Sequence, residues 1–106
     1  FVLPSITTDY FKEPWGLVVN EAMNQGLPVI VTEAVGAAVG GLVLHEVNGF
    51  VIRERNAQDI ADSIESLLTN RLLWETMSQS SKDTIKKWDY VKMVSGFTNA
   101  LEWVRK

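Results

Sequence analysis

The sequence predicts an α/β domain built on a parallel sheet, and three observations carry that reading. Short apolar runs ("FVLPS", "PVIVT", "NGFVI") alternate with longer segments suited to helices. The runs are apolar throughout instead of alternating, the pattern of strands buried on both faces. The second half then becomes wholly helical, with Asn56 and Asp89 as caps of its first and third helices. Strand, helix and strand in succession place the strands parallel and the helices over the sheet. About three strands make only part of a Rossmann-like sheet, so the chain reads as a piece of a larger domain.

Each element has its own warrant. "FVLPS" is a strand stopped by Pro4 and Ser5, and "ITTDYFKE" is a polar connection with two aromatics. A helix is expected from about Trp15 to Gln25, with Pro14 at its start, where a missing N–H costs nothing. Gly26 ends it and Pro28 prevents continuation. Pro28 to Thr32 form the second strand, and "EAVGAAVGGL" is a Gly/Ala loop that can hold a short helix. An Asn48-Gly49 turn leads into the third strand. Ala57, Ile60, Ala61, Ile64, Leu67 and Leu68 follow helical spacing behind an Asn56 cap, with Asp59 in the first turn. A second helix begins near Arg71, with Leu73, Met77, Ile85 and Trp88 on one face. Asp89 caps a third, whose Tyr90, Val94, Phe97, Leu101 and Val104 are expected inward. Residues 1–52 thus form a strand-and-loop half and 53–106 a helical half of one domain.

Composition removes several classes of function. With 106 residues, 46% of them hydrophobic, the chain is one small domain. It has no cysteine, hence no disulfide framework and no thiolate metal site. No apolar run approaches the ~20 residues of a membrane span and no signal pattern opens the chain, which fits a cytoplasmic protein. A net charge of −3 argues against nucleic acid as a partner. From Phe1 to Ile52 the only Lys or Arg is Lys12, against Asp9, Glu13, Glu21, Glu33 and Glu46. An anion bound by this half must therefore be held by backbone amides or by cations from elsewhere.

The chemistry concentrates in "EPWGLVVNEAM". In an open parallel sheet, ligands sit beyond the carboxyl ends of the strands, and Pro4-Ser5 leads there into Glu13 and the start of the next helix. The N–H groups of Gly16, Leu17 and Val18 lack intrahelical partners and carry the positive end of the macrodipole. Glu21 lies further along the same helix, on the Leu17 side. A carboxylate accepts hydrogen bonds from neighbouring hydroxyls such as a ribose diol, and Glu13 can serve a second sugar across the anion. Two hydroxyl clamps flanking an anion site describe a receptor for a sugar nucleotide.

These residues resemble the donor-binding half of the retaining GT-B glycosyltransferases, the large family with an E-x7-E signature. "FVLPS…EPWGLVVNEAMNQGLPVIVTEAVGA…NGFVI" follows its pattern, with Glu13 and Glu21 at the signature spacing; the helical remainder matches only in style. The resemblance implies a truncated C-terminal domain of a GT-B fold. In it Glu13, Trp15, Gly16 and Leu17 bind the donor sugar, Leu17 and Val18 the phosphate, and Glu21 the nucleotide ribose. The implied reaction passes a sugar from a nucleoside-diphosphate donor to a hydroxyl acceptor with retention, without a required metal or cofactor, and neither glutamate need be a nucleophile. The whole enzyme implied is compatible with membrane association. Two departures stand out: Gly40-Gly41 replaces an acidic residue at the end of the glycine loop, and Glu46 stands where the family usually has glycine. The Arg/Lys pair with which the family stabilises its departing diphosphate has no counterpart from Phe1 to Ile52, and the acceptor domain is absent as well. The chain alone is therefore expected to be inactive and to self-associate through its open sheet edge.

Other readings stand beside this one. A non-catalytic α/β interaction or regulatory module could keep the motif for folding alone. A phosphorylase would need a pyridoxal lysine, which this segment does not suggest. "VGAAVGGL" lacks the spacing of a phosphate loop. His45 reads as a turn or surface residue, Arg53 and Arg55 as a solvated pair, and Trp15 stays open between packing beneath the helix start and stacking on a ligand.

Overall fold

The computed structural model describes residues 1–106 as eight elements. They are β1 (Val2–Leu3), α1 (Leu17–Asn24), β2 (Val29–Thr32), α2 (Gly36–Val39), β3 (Gly49–Ile52), α3 (Ala57–Thr69), α4 (Arg71–Ile85) and α5 (Tyr90–Arg105). The three strands are parallel in the order β1-β2-β3, with Val2 opposite Ile30 and Val31 opposite Val51. The sequence expectation of an α/β parallel-sheet domain is met. Every residue of the central strand β2 is buried, as its unbroken apolar run requires.

One sheet face carries the core. Val29 and Val31 pack with Val19, Ala22 and Met23 of α1, Val35 and Ala37 around α2, and Ile85 of α4. The two-residue period sends Ile30 and Thr32 to the opposite face, and α3 packs against β2 and β3. Helix α4 lies against α1 and is pinned by two buried serines as well as by Met77 and Ile85. Ser78 Oγ donates to Gly26 O (2.6 Å) and Ser81 Oγ to Asn48 O (3.2 Å).

Local signals in the sequence account for most boundaries. Asn56, Asn70 and Asp89 cap α3, α4 and α5, accepting from the N–H groups of Asp59, Leu73 and Lys92 at 2.9, 3.0 and 2.8 Å. Gly26, at φ 73°, ends α1: its N–H donates to Met23 O (2.9 Å) and that of Leu27 to Ala22 O (3.1 Å), a Schellman ending.

Three expectations need correction. Helix α1 begins at Leu17, not near Trp15, because Gly16 adopts a left-handed conformation at φ 84°. The Asn48-Gly49 turn into β3 stands, and the Asn48 side chain is in addition fully buried, accepting from Leu44 N–H (2.9 Å) and donating to Leu42 O (3.0 Å). In α3 the inward line runs through Ile60, Ser63 and Leu67, while Ala61 and Leu68 are exposed, because the sheet meets only a narrow strip of that helix. Helix α5 forms as expected but has no buried residue; Tyr90, Val94, Phe97, Leu101 and Val104 are all exposed, since the core is already closed by α1 and α4.

Candidate functional site

The site begins where β1 ends. Thr32 Oγ1 donates to Ser5 O (2.5 Å), fixing the exit of β1 beside the end of β2. The chain then loops outward through Thr8–Phe11 and returns to Glu13. Its return is set by α2, whose N-terminal N–H groups reach back: Gly36 N–H donates to Glu13 O (3.1 Å) and Ala37 N–H to Trp15 O (2.9 Å). Only glycine fits at 36, because a Cβ there would lie 1.7 Å from Pro14 O.

Gly16 then turns the chain into α1. A Cβ at this buried position would stand 2.9 Å from Leu3 Cδ2 and 3.1 Å from Val35 Cγ1, and its positive φ independently favours glycine. Its hydrogens therefore face the core as well as freeing the turn. Val19 N–H is taken by Gly16 O (2.9 Å), whereas the N–H groups of Gly16, Leu17 and Val18 make no hydrogen bond within the chain. These are the three amides the sequence singled out, and they sit at the positive end of α1.

Glu13 is half-buried, and its carboxylate has neither a hydrogen bond nor an ion pair in the chain. Glu21 is exposed and equally free of partners. Trp15 is half-buried and turned to internal packing: its ring centroid lies 5.3 Å from that of Trp88, and its Nε1–H donates to Asn20 Oδ1 (2.9 Å). A Cβ on Gly40 would come within 2.4 Å of the same ring. The carboxylates of the motif are thus free of partners in the chain, while the indole is engaged in packing.

A cavity of about 920 Å³ is an open groove between α1 and α5. Leu17, Asn20 and Glu21 line one wall and Trp88, Tyr90 and Phe97 the other; Glu13 is not part of it. Its walls are mainly apolar and one of them is the unburied α5, so the groove is the space left beside a helix without a neighbour.

The basic residues near the strand ends are occupied. Arg53 Nε and Nη2 donate to the two oxygens of Asp59 (2.9 and 3.0 Å), which holds the Asp59 carboxyl below its ordinary pKa. Arg55 Nη2 donates to Thr7 O (3.2 Å). His45 lies on the surface with Nδ1 accepting from Val51 N–H (3.0 Å). Glu46, where the resemblance expected glycine, has φ 61°, which explains the preference for glycine there. No three His, Cys, Asp or Glu side chains gather as a metal site, and no helix is long and apolar enough to cross a membrane.

An open parallel sheet flanked by helices, with free amides at the start of α1, is the architecture of a Rossmann-like domain. Within that class the match is specific: residues 1–87 fit the family described as glycosyl transferases group 1, and the chain belongs to that family. An uncharacterised glycosyltransferase of Methanocaldococcus jannaschii is 31% identical over 86% of this chain and 25% of its own length. The C-terminal domain of a group 1 family glycosyl transferase from Francisella tularensis superposes with a TM-score of 0.69 at 29% identity, over 81% of this chain and 40% of that one. HepE of Anabaena, solved in complex with UDP, gives a TM-score of 0.79 at 27% identity, over 95% of this chain and 26% of that one; it has also been solved with UDP-glucose. The fold is that of a GT-B C-terminal domain. The chain spans about a quarter or less of the curated relatives it matches.

Proposed function

We propose that this chain is the donor-binding part of a retaining glycosyltransferase that passes a sugar from a nucleoside-diphosphate sugar to a hydroxyl acceptor. One observation carries the reading: the Glu13 carboxylate, half-buried and unpartnered, stands immediately before three unbonded amides at the start of α1. A carboxylate so placed accepts from donor-sugar hydroxyls. The amides of Gly16, Leu17 and Val18 meet the diphosphate and the sugar next to it, where a helix start favours negative charge. Glu21 takes the ribose diol, completing the E-x7-E pair. Trp15 serves this arrangement by its backbone and by packing. Residues 1–52 supply the donor contacts and 53–106 the helical support.

Neither glutamate acts as a nucleophile in this scheme. Retention follows a same-face route in which the departing diphosphate receives the acceptor proton, so catalysis depends on stabilising that leaving group. Arg53 and Arg55 are engaged within the chain. The cations that neutralise the diphosphate come from other parts of the intact protein, and residues 1–106 alone do not transfer sugar. In isolation this chain self-associates along its β1 edge, which sedimentation at rising concentration reads directly.

Calorimetry of the intact protein with UDP, UDP-glucose, GDP-mannose and ADP-glucose tests the assignment. Hydrogen bonds to a charged group contribute about 1.5–3 kcal/mol, so Glu21→Gln weakens both the sugar nucleotide and the free nucleotide by about 10- to 100-fold. Glu13→Gln weakens the sugar nucleotide alone, because the free nucleotide lacks the sugar. If neither substitution changes binding, the donor-site reading fails and an interaction module replaces it.

A further inference from the structure

The segment that delivers Glu13 is fastened at both ends by side chains and amides distant in sequence. Downstream, Gly36 N–H holds Glu13 O (3.1 Å). Upstream, the connection between β3 and α3 grips Thr7. Both Glu54 carboxylate oxygens accept from Thr7 N–H (3.2 Å each), and Oε1 accepts also from the Thr7 hydroxyl. Arg55 Nη2 donates to Thr7 O from the other side (3.2 Å). One residue of the loop thus has its N–H, its carbonyl and its hydroxyl all bound by two consecutive residues of another loop.

Between these anchors the loop tip closes on itself. Thr8 N–H donates to Phe11 O (2.9 Å), and Phe11 N–H to Thr8 Oγ1 (3.0 Å). Burial contributes little, since Tyr10 is 97% exposed and Phe11 57%. Polar grip, not packing, holds this segment. The gripping connection is itself shaped for the purpose: Arg55 is held at φ 55°, a costly conformation for a side chain with a Cβ, and Glu54 N–H donates to Glu33 Oε1 (3.3 Å). The hydroxyl hydrogen bond from Thr7, above all, holds the Glu54 carboxyl below its usual range, with Arg55 and Lys12 adding to the effect.

We propose that Glu54 is a positioning residue for Glu13: by gripping Thr7 it sets the path of Ile6–Lys12 and so the place where the Glu13 carboxylate meets a sugar hydroxyl. The proposal rests on the reading of Glu13 above. Displacing a positioned group by about an ångström is enough to lose much of its effect, and in an exposed loop without a packed core the course of the chain rests on polar anchors, of which Glu54 makes the most contacts with Thr7.

Two measurements on the intact protein decide it. The first is chymotrypsin cleavage after Tyr10 and Phe11 under native conditions, which reads local opening of the segment. Glu54→Ala raises the cleavage rate about tenfold with an unchanged melting temperature, Thr7→Val raises it less, and Thr7→Ser recovers what Thr7→Val loses. Equal cleavage of wild type and Glu54→Ala overturns the proposal. The second is a double-mutant cycle on UDP-glucose binding. Glu13→Gln and Glu54→Ala each weaken binding about tenfold, and the double variant binds no more weakly than Glu13→Gln alone. Additive losses overturn this proposal and leave the reading of Glu13 intact. A silent Glu13→Gln sinks both. Should the wild type not take UDP-glucose, the cleavage rates alone decide.

Discussion

Helices α1 and α5 make an instructive pair. Helix α1 has 8 residues, no side-chain cap and a left-handed glycine at its entrance, yet it buries Val19, Ala22 and Met23. Helix α5 has twice the length, 16 residues, with an aspartate cap and apolar residues at helical spacing, yet it buries none. Capping and periodicity decide whether a helix forms and which face is apolar. What the face meets is decided by the sheet, and α1 is attached to it through Gly16, Gly36 and the β2 strand. The motif of the candidate site lies on the helix that the core defines, not on the one that local signals define best.

The sharpest way to break the comparison is at the attachment. Gly36→Ala would put a methyl group 1.7 Å from Pro14 O, a collision with backbone that no rotamer relieves. Overpacking of this kind costs about 3 kcal/mol or more, and relief requires moving the Glu13-Pro14 segment. Denaturant unfolding should show that loss or the absence of a cooperative transition. Next in size is the core contact itself. Met23 is 0% exposed and Phe97 67%. Met23→Ala should cost about 2–5 kcal/mol, whereas Phe97→Ala in this chain stays within about 0.5 kcal/mol. Comparable losses at the two positions would mean that α5 is packed in solution.

The same contrast explains what could be read from the residues alone. Asn56, Asn70 and Asp89 signal their helices through contacts three residues away, so local inspection finds or brackets those starts. The Schellman ending at Gly26 is equally local. The start of α1 is not. Gly36 and Ala37, some twenty residues downstream, supply the N–H groups that occupy the Glu13 and Trp15 carbonyls, and no local pattern announces them. The Asn48-Gly49 turn is legible locally, but the burial of Asn48 is not, because Leu42, Leu44 and Ser81 must first fold around it. The buried serines of α4 carried no apolar signal at all. In the candidate site, the motif spacing made Glu13, Glu21 and the amides visible, while the Glu54–Thr7 grip joins residues 47 apart in sequence and could be found only in the fold.

A smaller effect is expected at Glu46, where a β-carbon is held at φ 61°. A left-handed non-glycine residue costs about 1–2 kcal/mol, partly offset by the extra freedom glycine has in the unfolded chain. Glu46→Gly should therefore stabilise by about 0.5–1 kcal/mol in thermal or chemical unfolding. A destabilisation would mean that the Glu46 side chain carries an interaction beyond its 3.8 Å approach to His45.

A gain of similar size is expected in α5. Gly96 lies within α5, and a Cβ added there meets nothing within 4 Å. Where Gly36 is required by a neighbour, Gly96 answers to none in this chain, so Gly96→Ala exchanges a poor helix former for the best at no steric cost. Helix propensity alone predicts a gain of about 0.5–1 kcal/mol in α5, seen as added helicity by circular dichroism and slower amide exchange in that helix. In the intact protein the same methyl group becomes a probe of the surroundings of α5. If it is neutral or harmful there while remaining stabilising in the isolated chain, α5 has a close neighbour at that face, and the freedom of the longer helix belongs to this chain only.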